Sequence, residues 1–332
     1  MGNNDPLVSV VLPFLNAQFT LSRSVASILN QSYRHFELIL VDNGSTDSGA
    51  LMARGFAKKD ARVTLLTENQ KGVVFAANEG IRHAKGKYIA RMDADDFSHP
   101  DRLKQQVQFL ENHPDTEVVS GIISYGGSEV NGGFVRYINW LNSIKTREDI
   151  SLNQFVEYPL ANPSLMMKRE LFQTYGNYRS GSFPEDYEFF LRLQANGVKM
   201  GKVSQVVLEW SDLPNRLTRT HSSYTNEAFY LIKAAYLAKW LKKRHSRIPN
   251  VFVWGAGRES KKRSRLLHRF GIDISGYIDI KKSADTVFYQ DIGAPNDLFI
   301  LSYVANWGAR EEIRTFLNKM DFVVGKHYLI FA

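Results

Sequence analysis

Apolar and polar positions along the first hundred residues alternate between two periods. Residues 7–12 (LVSVVL) form a short β-branched run, as expected of a strand buried on both faces. Residues 20–31 carry apolar side chains at helical spacing, with Leu21, Val25, Ile28 and Leu29 on one side. Residues 36–41 (FELILV) read as the next strand, and residues 42–47 (DNGSTD) as turn chemistry leading into another helix. A strand over 63–66, a helix over 73–84 and a strand over 87–92 continue the rhythm. Such βαβα alternation predicts a parallel, doubly wound α/β sheet with right-handed crossovers. Ligands of these sheets bind outside the carboxyl ends of the strands, which makes loops 13–16, 42–47 and 93–96 the candidate walls of a site.

After residue 112 the pattern loosens. Residues 125–133 are glycine-rich and read as a hairpin or loop excursion, and helical periodicity returns over 186–195 and 224–243. A second α/β pattern starts at the strand 251–254. A tight turn at 255–257, a helix over 259–270, strands over 274–278 and 298–303, a helix over 310–319 and a strand over 328–331 follow. At 332 residues the chain exceeds what one hydrophobic core usually covers. The expected organisation is a doubly wound α/β domain over 1–225, a basic amphipathic linker helix over 226–247 and a small Rossmann-like domain over 248–332.

Composition removes several classes of chemistry. The absence of cysteine excludes disulfides, thiolate zinc sites and cysteine nucleophiles. The net charge is +8, yet residues 226–247 hold six Lys or Arg against one Glu, so most of the excess sits in one segment. A nucleic-acid footprint would spread over a broad face, and no nucleic-acid partner is expected. In that segment Tyr230, Tyr236 and Trp240 interleave with Lys233, Lys239, Lys242, Lys243 and Arg244. Two readings stay open: an interdomain helix, which is favoured, or a peripheral membrane contact through 230–247 on anionic lipid. No apolar stretch reaches the roughly 20 residues that cross a bilayer, and the first residues do not resemble a signal peptide. The expected location is therefore cytoplasmic, with the inner membrane face as the variant; the oligomeric state is not legible.

Three carboxylates within four residues, Asp93, Asp95 and Asp96, follow the apolar strand Tyr88-Ile89-Ala90. Burying them together raises their pKa values, and a divalent cation removes that cost. Magnesium or manganese takes one or two carboxylates and fills its remaining positions with water and diphosphate oxygens. A solvated acidic loop ahead of the helix near Pro100 is the competing reading.

The surroundings of this cluster resemble those of the inverting glycosyltransferases of family 2, which have the GT-A fold. The matching stretches are VSVVLP at 8–13, QSY at 31–33, VDNGSTD at 41–47, GKYIARMDADD at 86–96 and PEDY at 184–187, in the family's order. The resemblance covers roughly residues 7–225. It implies a nucleotide-sugar donor held around Pro13, Leu15, Asn16, Asp42, Asn43, Asn78, Asp93 and Ala94. It also implies a divalent metal, Mn2+ or Mg2+, with Asp95 as direct ligand, Asp93 nearer the donor's ribose and Asp96 in support. Four positions depart from the family pattern: Asn43 where Asp is frequent, Leu15 where some members place an aromatic, Ala77 where many carry Arg, and Asn162 in place of a common His. Uridine remains the expected base.

Inverting transfer needs a carboxylate to take the acceptor's proton. Glu185-Asp186 opens a helix, where an acidic residue also serves as a cap or dipole partner. The resemblance of Pro-Glu-Asp to the family's motif assigns Asp186 as the base and Glu185 as its support. His221, beside Arg216 and Arg219, is either a third metal ligand or a solvated loop histidine. The acceptor is expected to be a hydroxyl of a glycan, a lipid-linked saccharide or a surface polymer. A non-catalytic nucleotide-sugar-binding protein with a degenerate site is the rival reading, although such a protein has no use for the base. Gly255-Ala256-Gly257 with Asp279 imitates a dinucleotide fingerprint, but Ser260 stands where its third glycine belongs, so NAD is not expected.

Overall fold

The computed structural model describes residues 5–127, 131–214, 216–245, 248–295 and 298–332. Two compact units emerge. The first comprises residues 1–150, 160–180 and 196–220, and the second residues 151–159, 181–195 and 221–332.

The first unit is built on an eight-stranded sheet. Its strands are β1 (Val8–Phe14), β2 (Phe36–Asp42), β3 (Val63–Thr67), β4 (Tyr88–Arg91), β5 (Phe97–Ser98), β6 (Val118–Tyr125), β7 (Met166–Lys168) and β8 (Met200–Trp210). The order is β3-β2-β1-β4-β7-β6-β8-β5. β3, β2, β1 and β4 run parallel, as the βαβα rhythm predicts. Beyond β4 the sheet is mixed: β7 is antiparallel to both β4 and β6, β6 and β8 are parallel, and β5 is antiparallel to β8. Helices α1 (Leu21–Leu29), α2 (Gly49–Lys59), α3 (Val73–His83), α4 (Arg102–Asn112) and α5 (Gly132–Ser143) link these strands. Short helices α6 (Arg147–Leu152) and α7 (Glu170–Tyr175) follow them.

All seven residues of β1 are buried, because helices cover both faces of a parallel sheet. The side of α3 that meets the sheet needs Gly80. A Cβ there would stand 2.5 Å from Val11 Cγ1 and 3.1 Å from Val41 Cγ2. The glycine-rich stretch expected as a hairpin or loop over 125–133 includes residues 128–130, which lie outside the described residues; α5 starts within its end, at Gly132, capped by the Asn131 side chain.

The second unit contains α8 (Glu185–Ala195) and, after the short α9 (Leu217–Thr220) of the first unit, the long α10 (Asn226–Arg244). A five-stranded parallel sheet completes it, in the order β11-β10-β9-β12-β13. Its strands are β9 (Asn250–Trp254), β10 (Ile274–Asp279), β11 (Val287–Phe288), β12 (Leu298–Ser302) and β13 (Tyr328–Ile330), with helices α11 (Arg258–Ser264) and α12 (Trp307–Lys319). The helix expected over 259–270 changes at Arg265 into 3-10 turns and stops at Gly271, whose φ of 75° only glycine adopts without strain.

Helix α10 is a core element of this unit. Tyr230 stacks with Tyr303, Trp240 meets Phe155 and Phe299, and the Tyr236 hydroxyl donates to Glu188 at 2.6 Å. Lys233 is buried too, donating to the carbonyls of Val156 at 2.7 Å and Phe331 at 3.4 Å. Tyr230, Tyr236 and Trp240, the three rings that the peripheral-membrane reading would set at the headgroups, are all buried. Residues 246 and 247 of the expected linker lie outside the described residues.

Candidate active site

Loops at the carboxyl ends of β1, β2 and β4 carry most of the expected donor-site residues. After β1 the chain turns through Asn16, which takes a left-handed φ of 51°. Asn16 ties this loop to the next one: its amide N–H donates to Ser45 Oγ at 3.0 Å, and its side-chain oxygen accepts from Thr46 N at 2.8 Å. Asp42 closes the second loop by accepting from Ser45 N at 2.9 Å. Pro13 is buried in β1 and Leu15 is 48% exposed.

Asn43 is buried, and its side chain is a three-way brace. Nδ2 donates to the carbonyls of Glu68 at 2.9 Å and Gln70 at 2.8 Å, while Oδ1 accepts from Gly72 N at 2.7 Å. A carboxylate has no hydrogen to give those carbonyls, which accounts for Asn at a position where Asp was the family expectation. Asn78, expected among the donor contacts, gives both polar atoms to one backbone. It donates to Tyr178 O at 2.9 Å and accepts from Tyr178 N at 3.1 Å.

The carboxylate cluster sits where β4 ends. Two buried guanidinium groups lie beneath it. Arg91 reaches Asp93 Oδ1 at 3.2 Å and the Val11 carbonyl at 3.3 Å. Arg102 donates to the carbonyl of Arg91 at 2.7 Å and of Leu165 at 3.3 Å. Burial holds the Arg102 guanidinium down at about 9, against the pull of Asp96 and Asp93. The Ser24 hydroxyl fixes the loop by donating to the Asp93 carbonyl at 2.9 Å.

Ser211, just after β8, is a member of this site with no signal in the sequence pattern. Its N–H donates to Asp96 Oδ1 at 2.9 Å and its hydroxyl to the Asp95 carbonyl at 2.5 Å. The other oxygen of Asp96, Oδ2, is buried with no hydrogen-bond partner among the described residues. Burial, followed by the charge of Asp93, pushes the Asp95 carboxyl up to about 6. Asp96, fully enclosed and next to Asp95 and Asp93, is raised well above the ordinary carboxylate range. Arg216 opposes both shifts. Its guanidinium lies 4.4 Å from the Phe134 ring centre and 4.7 Å from that of Trp210, and 3.9 Å from Asp212. Asp212 also pairs with Arg219.

These features fit a cation. An orphaned buried carboxylate oxygen and two carboxyls driven toward protonation are what a hard-cation site looks like before its charge is balanced. Among the described residues no three His, Asp or Glu side chains form a complete ligand set. Carboxylate oxygens with water and phosphate oxygens are the donor set this site can offer.

The remaining expected residues belong to the second unit. Glu185 and Asp186 open α8 behind Pro184. Glu185 is buried and accepts from the Tyr224 hydroxyl at 2.6 Å, whereas Asp186 is partly exposed and accepts from Tyr187 N at 2.7 Å. His221 is exposed, and its Nδ1 accepts from Ser223 N at 3.3 Å, capping a short 3-10 turn. At the dinucleotide-like turn, Gly255 has φ +110°, and Asp279 accepts from Ala256 N at 2.9 Å and Lys281 N at 3.1 Å. One carboxylate oxygen of Asp279 therefore holds the 255–257 turn and the other its own turn, and the first glycine is required by backbone conformation alone.

The chain is similar to several known proteins. The sequence model of a family described as "Glycosyl transferase family 2" matches residues 9–176. An uncharacterized glycosyltransferase of Haemophilus influenzae is 34% identical over 194 residues, 57% of this chain and 72% of the relative. The O-antigen biosynthesis glycosyltransferase WbnJ of Escherichia coli is 28% identical over 244 residues, 72% of this chain and 90% of the relative. Among solved structures, residues 1–349 of S. aureus TarS in complex with UDP-GlcNAc align with a TM-score of 0.57 at 18% identity, over 79% of this chain and 71% of that one. The mannosyltransferase PcManGT from Pyrobaculum calidifontis, in complex with GDP-Man and Mn2+, aligns with a TM-score of 0.51 at 20% identity, over 80% of this chain and 69% of that one. With the parallel β3-β2-β1-β4 half-sheet and a family match spanning half its length, the chain belongs to glycosyltransferase family 2 and has the GT-A fold.

Proposed function

We propose that this glycosyltransferase is metal-dependent and inverting, and that it moves a sugar from a nucleoside-diphosphate donor, a UDP-sugar, to a hydroxyl of a glycan, lipid-linked or surface-polymer acceptor. The observation that carries the reading is the carboxylate cluster at the end of β4, with its raised Asp95 and its orphaned Asp96 oxygen. WbnJ's role in O-antigen biosynthesis supports the acceptor class, and the Mn2+ of PcManGT supports the metal.

In this reading Asp95 and Asp93 hold the Mn2+ or Mg2+, and Asp96 keeps the loop in place through Ser211. When bound, the metal supplies Lewis-acid stabilisation of the charge on the departing diphosphate. The chain's own residues do the rest. Asp42 and the Asn16-braced loops form the wall for the nucleotide. Asp186, the more accessible carboxylate at the head of α8, takes the proton of the acceptor hydroxyl as its oxygen bonds to the anomeric carbon. The bond from that carbon to the diphosphate breaks on the opposite face, and the electron pair leaves with the phosphate oxygen. Glu185, held by Tyr224, positions the start of α8.

The test is a panel of nucleotide-sugars screened by thermal shift and by donor hydrolysis, with and without Mn2+. Stabilisation by one UDP-sugar only when metal is present is the expected result; equal stabilisation in chelator refutes metal dependence. An Asp186→Asn variant is expected to bind donor normally and to lose transfer by about 100-fold or more. Near-normal turnover by that variant removes Asp186 from the mechanism.

A further inference from the structure

Two large apolar side chains of the first unit stand in solvent close to the donor loops. Phe19 is 91% exposed and Leu51 is 68% exposed. Hydrogen bonds join the two segments that carry them. Gln18 N donates to Asp47 Oδ2 at 2.9 Å, and the Ser48 hydroxyl donates to Gln18 Oε1 at 2.9 Å. The approach is close enough that a Cβ on Gly49 would lie 3.6 Å from Ala17 N. The segment that carries Phe19 thus adjoins the first turn of α2, where Leu51 lies.

The outward face of α2 continues this feature with charge. Leu51, Arg54 and Lys58 are spaced at i, i+3 and i+7 and share one exposed face, with Lys59 beside them. The helix contains no acidic residue. Among the described residues no carboxylate pairs with Arg54, Lys58 or Lys59. The nearest acids in the chain are committed elsewhere: Asp47 to Gln18 N and Gly49 N, and Asp60 to Arg62 at 2.8 Å.

We propose that Phe19 and Leu51, flanked by Arg54, Lys58 and Lys59, form a docking surface for an anionic lipid bilayer. The chemistry favours a bilayer over a protein partner. A stable protein interface covers about 800 Å² on each side and is depleted of lysine. Here the apolar part is two side chains, a phenyl ring amounting to roughly 200 Å², and three cations, Arg54, Lys58 and Lys59, line its α2 side, while the Asp47 carboxylate is occupied by Gln18 N and Gly49 N. Apolar tips sunk at the acyl boundary with lysine and arginine at the phosphates is the pattern of an interfacial element. On the basic helix α10 the rings of Tyr230, Tyr236 and Trp240 are buried. The inference is independent of which metal or base the transferase uses.

The test is flotation of the full chain, in physiological salt, with vesicles of phosphatidylcholine alone and with about one-third phosphatidylglycerol added. Wild type is expected to float with the anionic vesicles and not with phosphatidylcholine alone. The double variant Phe19→Ser/Leu51→Ser is expected to lower binding about tenfold, and each of Arg54→Gln, Lys58→Gln and Lys59→Gln about fivefold. All are surface changes, so unfolding temperature and donor hydrolysis in solution are expected to stay at wild-type values. Absence of wild-type binding to anionic vesicles overturns the proposal, as does undiminished binding by the double variant. A wild-type dimer that the double variant converts to monomer also overturns it, since a second copy of the chain would then be the occupant.

Discussion

Ser211 and Asp96 are joined by a 2.9 Å hydrogen bond from the Ser211 amide to Oδ1, which leaves Oδ2 of the same carboxylate buried and unpartnered. The serine thus fixes one oxygen of the cluster, and its hydroxyl holds the Asp95 carbonyl at 2.5 Å. Substitution Ser211→Ala keeps the amide bond and removes only the second contact. Losing an outer partner of a metal-binding loop typically costs 10- to 100-fold in metal affinity, so a drop of about tenfold in Mn2+ affinity is expected. Electron paramagnetic resonance titration of free Mn2+ measures it directly. Unchanged affinity would show that Ser211 shapes the loop without affecting the cation.

Asn43 leads to a prediction that runs against its family. Replacing it by Asp keeps the oxygen that accepts from Gly72 but sets a carboxylate oxygen against the carbonyls of Glu68 and Gln70. The carbonyls of half-buried Glu68 and exposed Gln70 then lose their donor, at about 0.5–1.5 kcal/mol for each net hydrogen bond. Asn43→Asp is expected to lower the stability measured by urea unfolding by roughly 1–3 kcal/mol. A variant as stable as the parent would mean that loop 68–72 rearranges to supply other donors.

Much of this was legible in the sequence, for physical reasons that differ by element. β1, β2 and β4 are buried on both faces, so their β-branched runs stand out, and the loops that follow them mark the site. β7 did not stand out. Its three residues, Met166–Lys168, are too few to show a period, yet their antiparallel insertion is what makes the sheet mixed. In the site, Asp93, Asp95 and Asp96 were visible as an unusual density of charge. Ser211 was invisible, because it acts chiefly through a backbone amide that any residue but proline carries. Arg91 and Arg102 carry no signal of their own in the sequence pattern, and their burial shows that they support the cluster.

Gly80 tests the packing beneath the donor loops. A methyl group there would lie 2.5 Å from Val11 Cγ1, and Val11 sits in a fully buried strand with nowhere to move. Gly80→Ala gains helix propensity, at most about 1 kcal/mol, and suffers overpacking of about 1–3 kcal/mol. The net expectation is a loss of roughly 1–2 kcal/mol in urea unfolding, the opposite sign to an exposed Gly→Ala change in a helix. Stabilisation by this variant would show that α3 can lift from β1 without cost.

The raised carboxyls make metal binding and stability depend on pH in opposite ways. Asp95 is held at about 6 by burial and by Asp93, against an ordinary value near 4. Because the folded state prefers its protonated form, the stability this group contributes is present below pH about 4 and is lost as pH rises through about 6. Metal-free protein is therefore expected to lose melting temperature from this source across that window. Mn2+ must displace the proton, so its affinity falls as pH drops below about 6. The gain in melting temperature on adding Mn2+ is expected to be small at pH about 5 and to grow up to about 7. Scanning calorimetry at several pH values, with Mn2+ or with chelator, measures both trends on one sample. Asp95→Asn removes the titrating group and should flatten the Mn2+ gain to near zero at every pH. A gain that stays constant across the window in wild type would mean that the cation does not bind at Asp95.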